Sequence, residues 1–490
     1  MIRKPIAIIV RALIGLAAVV IVLIIFLLPA QAIPAFARKY QTSCATCHSN
    51  YPELNDFGEA FKRNGFKFPK DDDSFVKEPP VLLGAPAYKK VFPKAIYPGE
   101  MPGNIPIAFR YSGNFNYNAS QPPAVAAAGF VPRTDLFAPN TFTIIAAGSF
   151  GQNISFWIDD DISAAGSGAN GGLGDGYLKF SDLGHYLGLP KNALNVRFGQ
   201  FELDLPFSQA RSIYPSAYDA FSEPAMAPST TGIPNSVLTT NNPFVLGTPQ
   251  RGIEIGGYAN NGNFTWSAAF VDGTNSSYGL ASSLSTRNTK DVYLRVSQRF
   301  NLERDPQSRN DVQAAGASGP RDHTSIRVGG FYYHGTNESN YGSSTYSFLG
   351  TIQEPFYRAG GDIRFKYRKM ELFGVGLVGH DNNHIVDTVA QTIANAPAVT
   401  YTGGFAGSNF WIYPWMIAYM RYDFVNSPAD FANGASQYTT RNRYSPGIQL
   451  LVRANIKLIG EYQYHWGVPY AGGTLFYRPS TFVSGIDFVF

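Results

Sequence analysis

The sequence predicts a mainly β chain: an antiparallel β-barrel of about 16 strands preceded by a small α-helical segment. Three observations predict this fold class. Only 15% of the 490 residues are charged, whereas Gly (49), Tyr (29) and Phe (37) are abundant, a mix that suits many strands joined by turns rather than long helices. From about Ile105 onward the apolar residues recur with period two. The last segment, Thr481 to Phe490, puts Phe482, Ile486, Phe488 and the terminal Phe490 on one face.

The alternation is explicit along the chain. Ile154, Phe156 and Ile158 alternate with Ser155, Trp157 and Asp159, and Leu194, Val196 and Phe198 with Asn195, Arg197 and Gly199. Val292, Leu294 and Val296 flank Arg295, and Phe264, Trp266, Ala268 and Phe270 flank Thr265 and Ser267. Further segments lie near 326–333, 357–369, 370–380, 411–425, 446–453 and 455–466. A soluble sandwich would turn the apolar face inward, and a membrane barrel would turn it outward around a polar lumen. Large charged groups on the polar faces, strands of roughly 9 to 12 residues and aromatic residues crowding the strand ends favour the barrel. The aromatic C-terminal strand resembles that of bacterial outer-membrane proteins, which implies the bacterial outer membrane as location and its lipid as surroundings. The stretch 208–250 reads as an external or infolded loop, and 119–138, 303–322 and 381–408 as further loops. The stretch 196–207 is similar to a strand and turn of phosphate- and anion-selective porins.

At the N-terminus, Arg3, Lys4 and Arg11 precede an uncharged apolar run from Ala12 to Leu28, followed by Ala30-Gln31-Ala32, a small-x-small cleavage pattern. Residues 1–32 therefore read as an export signal; a permanent inner-membrane anchor is the rival reading. Cleavage removes three positive charges and takes the formal net charge from +4 to +1, a balance that predicts no nucleic-acid partner.

The chain has only two cysteines, in Ser43-Cys44-Ala45-Thr46-Cys47-His48. C-x-x-C-H is the attachment signature of c-type haem: two thiols add to the vinyl groups on one edge of a porphyrin, and the next residue is placed under the iron. The sequence thus predicts one covalently bound haem, with Cys44 and Cys47 as thioether links and His48 as the proximal axial ligand. A thioredoxin-like dithiol would want alternating strands and helices around it, and a zinc site would need two more ligands. Tyr51-Pro52-Glu53 predicts a helix opening, Leu54, Phe57, Gly58 and Phe61 an apolar helical face, and Lys62 to Gly65 its close. Met101, in a Pro-rich loop, is a candidate sixth ligand or an adaptable packing residue. His185, His334, His380, His384 and His465 are further candidates, and the sixth position can also stay open. His380 and His384 are predicted in a surface loop. Asp159 to Asp161 are predicted at a strand end and turn, Asp71 to Asp73 in a linker, and Gly171-Gly172 in a turn.

The predicted organisation is a signal at 1–32, a monohaem cytochrome domain acting as plug at 33–103, and a barrel at 104–490. This arrangement resembles the fused outer-membrane cytochrome and porin family associated with extracellular iron(II) oxidation. The stretches that carry it are Ala35 to Tyr40, Thr42 to His48 and Pro52 to Phe66. The resemblance implies an electron-transfer protein with iron(II) oxidase activity. Extracellular Fe(II) would donate one electron, and a periplasmic cytochrome or copper protein would accept it. An electron conduit to an external acceptor, and a porin with a haem plug, are the alternatives.

Overall fold

The computed structural model describes residues 34–68, 72–79, 81–82, 88–94, 100–103, 106–119, 133–151, 153–164, 170–222, 237–239, 242, 244–259, 262–273, 289–302, 324–340, 351–387, 392–426, 441–465, 468–469, 475–476 and 480–490. The predicted export signal at 1–32 and the predicted loop at 303–322 lie outside them.

Sixteen antiparallel strands close into a barrel. In chain order they are β1 (Ile107–Asn118), β2 (Thr134–Phe150), β3 (Ile154–Ala164), β4 (Asn170–Phe180), β5 (Asn195–Phe201), β6 (Gln250–Ala259), β7 (Phe264–Val271) and β8 (Asp291–Asn301). There follow β9 (Ser325–Asn340), β10 (Thr351–Tyr367), β11 (Met370–Asp387), β12 (Thr392–Tyr413), β13 (Met416–Asn426), β14 (Arg441–Arg453), β15 (Ile456–His465) and β16 (Thr481–Val489). Each pairs with its neighbours in sequence, and β16 closes on β1, with Phe482 opposite Tyr117 and Phe488 opposite Tyr111. Closure leaves no free sheet edge.

The apolar face points outward. On β8, Leu294 and Val296 are 46% and 54% exposed while the alternating Tyr293 and Arg295 are buried. β13 repeats the pattern, with Ile417, Tyr419, Arg421, Asp423 and Val425 inside and Met420 outside. Exposed aromatics gather at both ends: Tyr367, Tyr413 and Trp415 beside the tight turns, and Tyr117, Tyr332, Tyr444 and Tyr464 toward the long connections. No helix among the described residues is long and apolar enough to cross a membrane, so the crossing is made by strands. A closed barrel of even strand number with an apolar outer band and aromatic girdles is a barrel of the bacterial outer membrane. Its tight-turn end, where Phe490 bonds back to Phe109, is the periplasmic end.

Several local expectations are corrected. The predicted loop at 381–408 is strand at its described residues, because β11 runs to Asp387 and β12, 22 residues long, begins at Thr392. Such a strand far exceeds the roughly 9 to 11 residues a tilted crossing needs, so it continues past the membrane. His380 and His384 lie on β11, not in a loop; a bulge at Asp381/Asn383 shifts the facing, so His380 stacks on Tyr357 while His384 meets Glu354 at 3.0 Å. Asp159 to Asp161 sit inside β3 and Gly171-Gly172 inside β4, because polar and glycine residues are tolerated wherever a strand faces a lumen.

Protein also packs inside the lumen. From Glu202 to Ser222 the connection after β5 folds inward, and Phe207, Tyr214, Tyr218 and Phe221 pack against Phe373, Phe405 and Tyr419 of the wall. Buried ion pairs clamp it. Arg443 meets Asp219 at 3.0 Å, Arg421 meets Asp423 at 2.7 Å, and the Arg421 guanidinium donates to the Ser216 carbonyl and lies over the Tyr214 and Tyr218 rings. Removing one partner of such a pair strands the other in a low-dielectric site. Arg421→Met is therefore expected to weaken the seating of this segment by about 3–5 kcal/mol. Amide hydrogen exchange should read this as faster exchange between residues 213 and 222, with the barrel ladder unchanged.

Candidate functional site

The sequence from Pro34 to Phe68 builds a second body inside the lumen. Helix α1 (Ala35–Tyr40) leads into a short 3₁₀ turn over Cys44–Thr46, capped by the Ser43 side chain, which accepts from the Ala45 amide. His48 to Asn50 pairs with Glu53 and Leu54 as a small hairpin. Helix α2 then spans Asp56–Arg63, opening four residues after the predicted Pro52, because Asn55 supplies the cap: its side chain accepts from the Gly58 amide at 2.8 Å. Its close agrees with expectation. The Gly65 amide donates to Lys62 and the Phe66 amide to Phe61, with Gly65 at φ +70°.

Asn55 is the residue that sequence reasoning missed. Besides capping α2, its amide group donates to the Thr46 and Ala45 carbonyls, and its backbone N–H donates to the Cys47 carbonyl at 3.0 Å. One side chain thus fixes the Cys-x-x-Cys turn on the helix, and an Asn immediately before an amphipathic run was the signal for it. Gly58 is required by the same contact: a Cβ there would lie 2.0 Å from the Cys47 oxygen.

Cys44, Cys47 and His48 all line one cavity of about 490 Å³. Its aromatic wall includes Phe36, Tyr40, Phe61, Phe66, Phe68 and Trp157, with Tyr40 stacked on Phe68 at 4.1 Å between centroids and Phe36 on Phe66 at 5.1 Å. The barrel and the infolded segment contribute Arg110, Arg211 and Lys457. His48 Nδ1 is 3.2 Å from the Pro52 carbonyl and donates to it, which leaves Nε2 as the ring nitrogen able to reach a metal. Burial pushes the imidazole down to about 4, so it is neutral at physiological pH, as a ligand must be. Burial pushes the Cys47 thiol up to about 12 and raises Cys44 as well, the opposite of an activated redox dithiol.

These features fit a haem. The volume falls in the range of roughly 300–1,000 Å³ typical of cofactor pockets. Flat aromatic walls match a porphyrin face, and the three cations match its propionate carboxylates. Of the sixth-ligand candidates, none of His185, His334, His380, His384 and His465 lines the cavity. His185 is exposed in a 3₁₀ turn, and Tyr332 and His334 stack as neighbours on β9. Met101 lies in a two-residue strand paired with Val81 and Leu82, not in an open loop. Among the described residues no cluster of His, Cys, Asp or Glu forms a separate metal site.

The body is bolted to the periplasmic half of the barrel. Arg299 holds Asp56 at 2.7 Å, Lys457 donates to the Tyr51 carbonyl at 2.7 Å, Arg63 to Gly262 at 3.1 Å and Arg38 to Ile107 at 2.8 Å. Burial opposes ionisation of Asp56, but Arg299, Lys366 and Arg327 outweigh it and hold the carboxyl below the usual range.

No protein-family model matches this sequence, and no curated protein matches it. Among solved structures, the chain is similar to Salmonella typhi OmpF in complex with daunomycin, at 8% identity and TM-score 0.45 over 78% of this chain and 97% of that one. It is likewise similar to the outer-membrane channel DcaP of Acinetobacter baumannii, at 12% identity and TM-score 0.45 over 78% and 96% of the two chains. The anion-selective porin from Comamonas acidovorans gives 11% identity and TM-score 0.45 over 78% and 98%.

Gly58→Ala tests the local geometry. Forced off the Cys47 carbonyl, α2 is expected to lose the Asn55-to-Cys47 hydrogen bond. The Asn55 amide should then exchange at least tenfold faster, about 1.4 kcal/mol of local protection, while amides of β13 and β14 keep theirs.

Proposed function

We propose that this chain is an electron-transfer protein of the outer membrane. In this reading Cys44 and Cys47 hold one haem through thioether bonds, His48 ligates its iron, and residues 33–103 form the unit that the barrel at 104–490 encloses. The observation that carries the proposal is that all three residues of the C-x-x-C-H motif line a single aromatic-walled cavity inside the lumen. When bound, the haem would supply an iron centre that cycles between ferrous and ferric states.

The chain's own residues do the rest. Pro52 orients the imidazole, Asn55 holds the cysteine turn, and the Phe36, Tyr40, Phe61, Phe66 and Trp157 rings exclude water from the pocket. Arg110 and Lys457 share Asp487, at 2.9 and 3.2 Å, and so stay in place as a fixed positive edge. The body's anchorage at the tight-turn end supports delivery to a periplasmic acceptor, a cytochrome or copper protein, with extracellular Fe(II) as the donor. The packing of this body and the infolded segment inside the lumen supports electron passage over solute passage.

Two measurements test the reading. The exported protein should carry a peroxidase-active haem stain through denaturing electrophoresis, and Cys44→Ala/Cys47→Ala should lose it while still assembling a barrel; a colourless native protein would refute haem attachment. Fe(II) added to the purified oxidised protein should produce the sharpened absorption bands of a reduced c-type haem. No reduction by Fe(II), together with oxidation of the reduced protein by an external ferric mineral, would reverse the direction of flow. A persistent open conductance in planar bilayers would favour the solute channel instead.

A further inference from the structure

One connection at the periplasmic end differs from the tight turns around it. Arg368-Lys369 and Ala454-Asn455 each cross between strands in two residues, whereas Ser181 to Leu194, between β4 and β5, takes fourteen. That length is built, not slack. Asp182 accepts from the Asn192 amide at 2.8 Å, and the Leu183 amide donates to Leu194 and the Leu189 amide to Gly184, both at 2.9 Å. The Tyr258 amide of β6 donates to the Asn192 carbonyl at 2.9 Å and ties the connection to the wall. Asp182, Gly188 and Asn192 all take left-handed backbone, which lets the chain double back this tightly. The frame holds out an apolar tip: Tyr186, Leu187 and Leu189 are 79%, 69% and 44% exposed. Large apolar side chains held out together on a fixed frame mark a contact surface.

The side of the wall on which the connection lies decides what it touches. The inner side is occupied, since Ser181 is buried against the N-terminal body and a Cβ on Gly65 would lie 3.5 Å from its hydroxyl. Leu194 falls on the opposite face, in alternation with Val196 and the exposed Phe198. The 3₁₀ turn packs there, because a Cβ on Gly184 would lie 3.3 Å from the Leu194 Cβ. Gly257 of β6 shares the outward face with the exposed Ile253, yet it is buried, and a Cβ on it would meet the Ala193 carbonyl oxygen at 1.8 Å. The connection is therefore folded back over the lipid-facing side of the rim. Its charges agree with that position. Between Leu183 and Leu194 there is no carboxylate, and His185 and Lys191 are both exposed, a composition suited to phosphate headgroups.

We infer that residues 183–191 form an interfacial foot that enters the periplasmic leaflet of the outer membrane. Its partner is phospholipid: Tyr186, Leu187 and Leu189 meet the boundary between headgroups and acyl chains, and Lys191 meets the phosphates. The foot stands on the part of the rim where Gly65 abuts Ser181 and Arg63 donates to Gly262, so it fixes the depth of the barrel on the side that carries the N-terminal body.

The test uses the full-length protein in vesicles of phosphatidylethanolamine and phosphatidylglycerol. A photoreactive benzophenone amino acid in place of Leu187 should, on irradiation, give protein heavier by one phospholipid, as the same probe should in place of Trp415 in the aromatic girdle. A lipid adduct at 415 with none at 187 overturns the inference and leaves the tip as a surface for a periplasmic protein. Leu187 is mostly exposed, so Leu187→Ser removes little contact with protein and acts mainly through lipid. The folding equilibrium constant in these vesicles should fall about fivefold. An unchanged constant overturns the inference as well. Neither readout depends on haem, so a failure here leaves the haem proposal where it stands.

Discussion

Period two in a closed barrel is the constraint on which the rest of this structure depends. Each residue that feeds the lipid-facing band brings with it a neighbour that must face the lumen. Leu294 and Val296 cannot sit in the bilayer without Arg295 pointing inward between them, and Met420 cannot without Tyr419 and Arg421. Sixteen strands enclose a volume too wide for wall side chains alone to fill. The charges that line it then need either water or partners.

Here the partners come from two segments that are not strands. The connection after β5 brings Asp219 to Arg443 and the Ser216 carbonyl to Arg421, so it occupies the middle of the lumen. The N-terminal body brings Asp56 to Arg299 and the Tyr51 carbonyl to Lys457, so it occupies the periplasmic side. The two meet at the larger cavity, whose lining takes Cys44 and Phe61 from the body, Arg211 and Tyr214 from the infolded segment, and Arg110 and Asp161 from the wall. A pocket made this way exists only when all three parts are in place. Its rigidity comes from barrel ion pairs remote from the motif itself.

How much of this could be read in the residues follows from the range of each interaction. Outward alternation, the aromatic C-terminal strand and the number of strands were legible because they are written in period two along one strand at a time. That Cys44, Cys47 and His48 would share one site was legible because the motif spans five consecutive residues. Strand ends were not, since β11 and β12 continue through polar residues such as Asn383 and Thr400 that look like loop when read alone and are held by ladder bonds to each other. The inward positions of Asp159 and Asp161 continue the alternation of Ser155 and Trp157; what was hidden is that β3 runs on through them instead of ending there. Arg110, Arg211 and Lys457 join the site from positions 110, 211 and 457, a convergence that only barrel closure brings about.

The same packing bears on why, on the proposed reading, an electron rather than a solute crosses this lumen. A diffusing solute needs a continuous opening, and the infolded segment narrows it where Tyr218 stacks on Phe405, 4.5 Å apart, and Phe221 packs against Phe331. An electron needs only a short distance between redox centres and a medium that stays fixed while it moves. On the proposed reading, the body at the periplasmic side puts the motif within reach of a soluble acceptor, and the infolded segment sets the remaining distance to the outer face. Buried pairs such as Arg443 with Asp219 hold that segment to the wall. On that reading the barrel would act as an insulating sleeve whose transfer distance is set by packing, with the buried ion pairs as the struts that keep that distance constant.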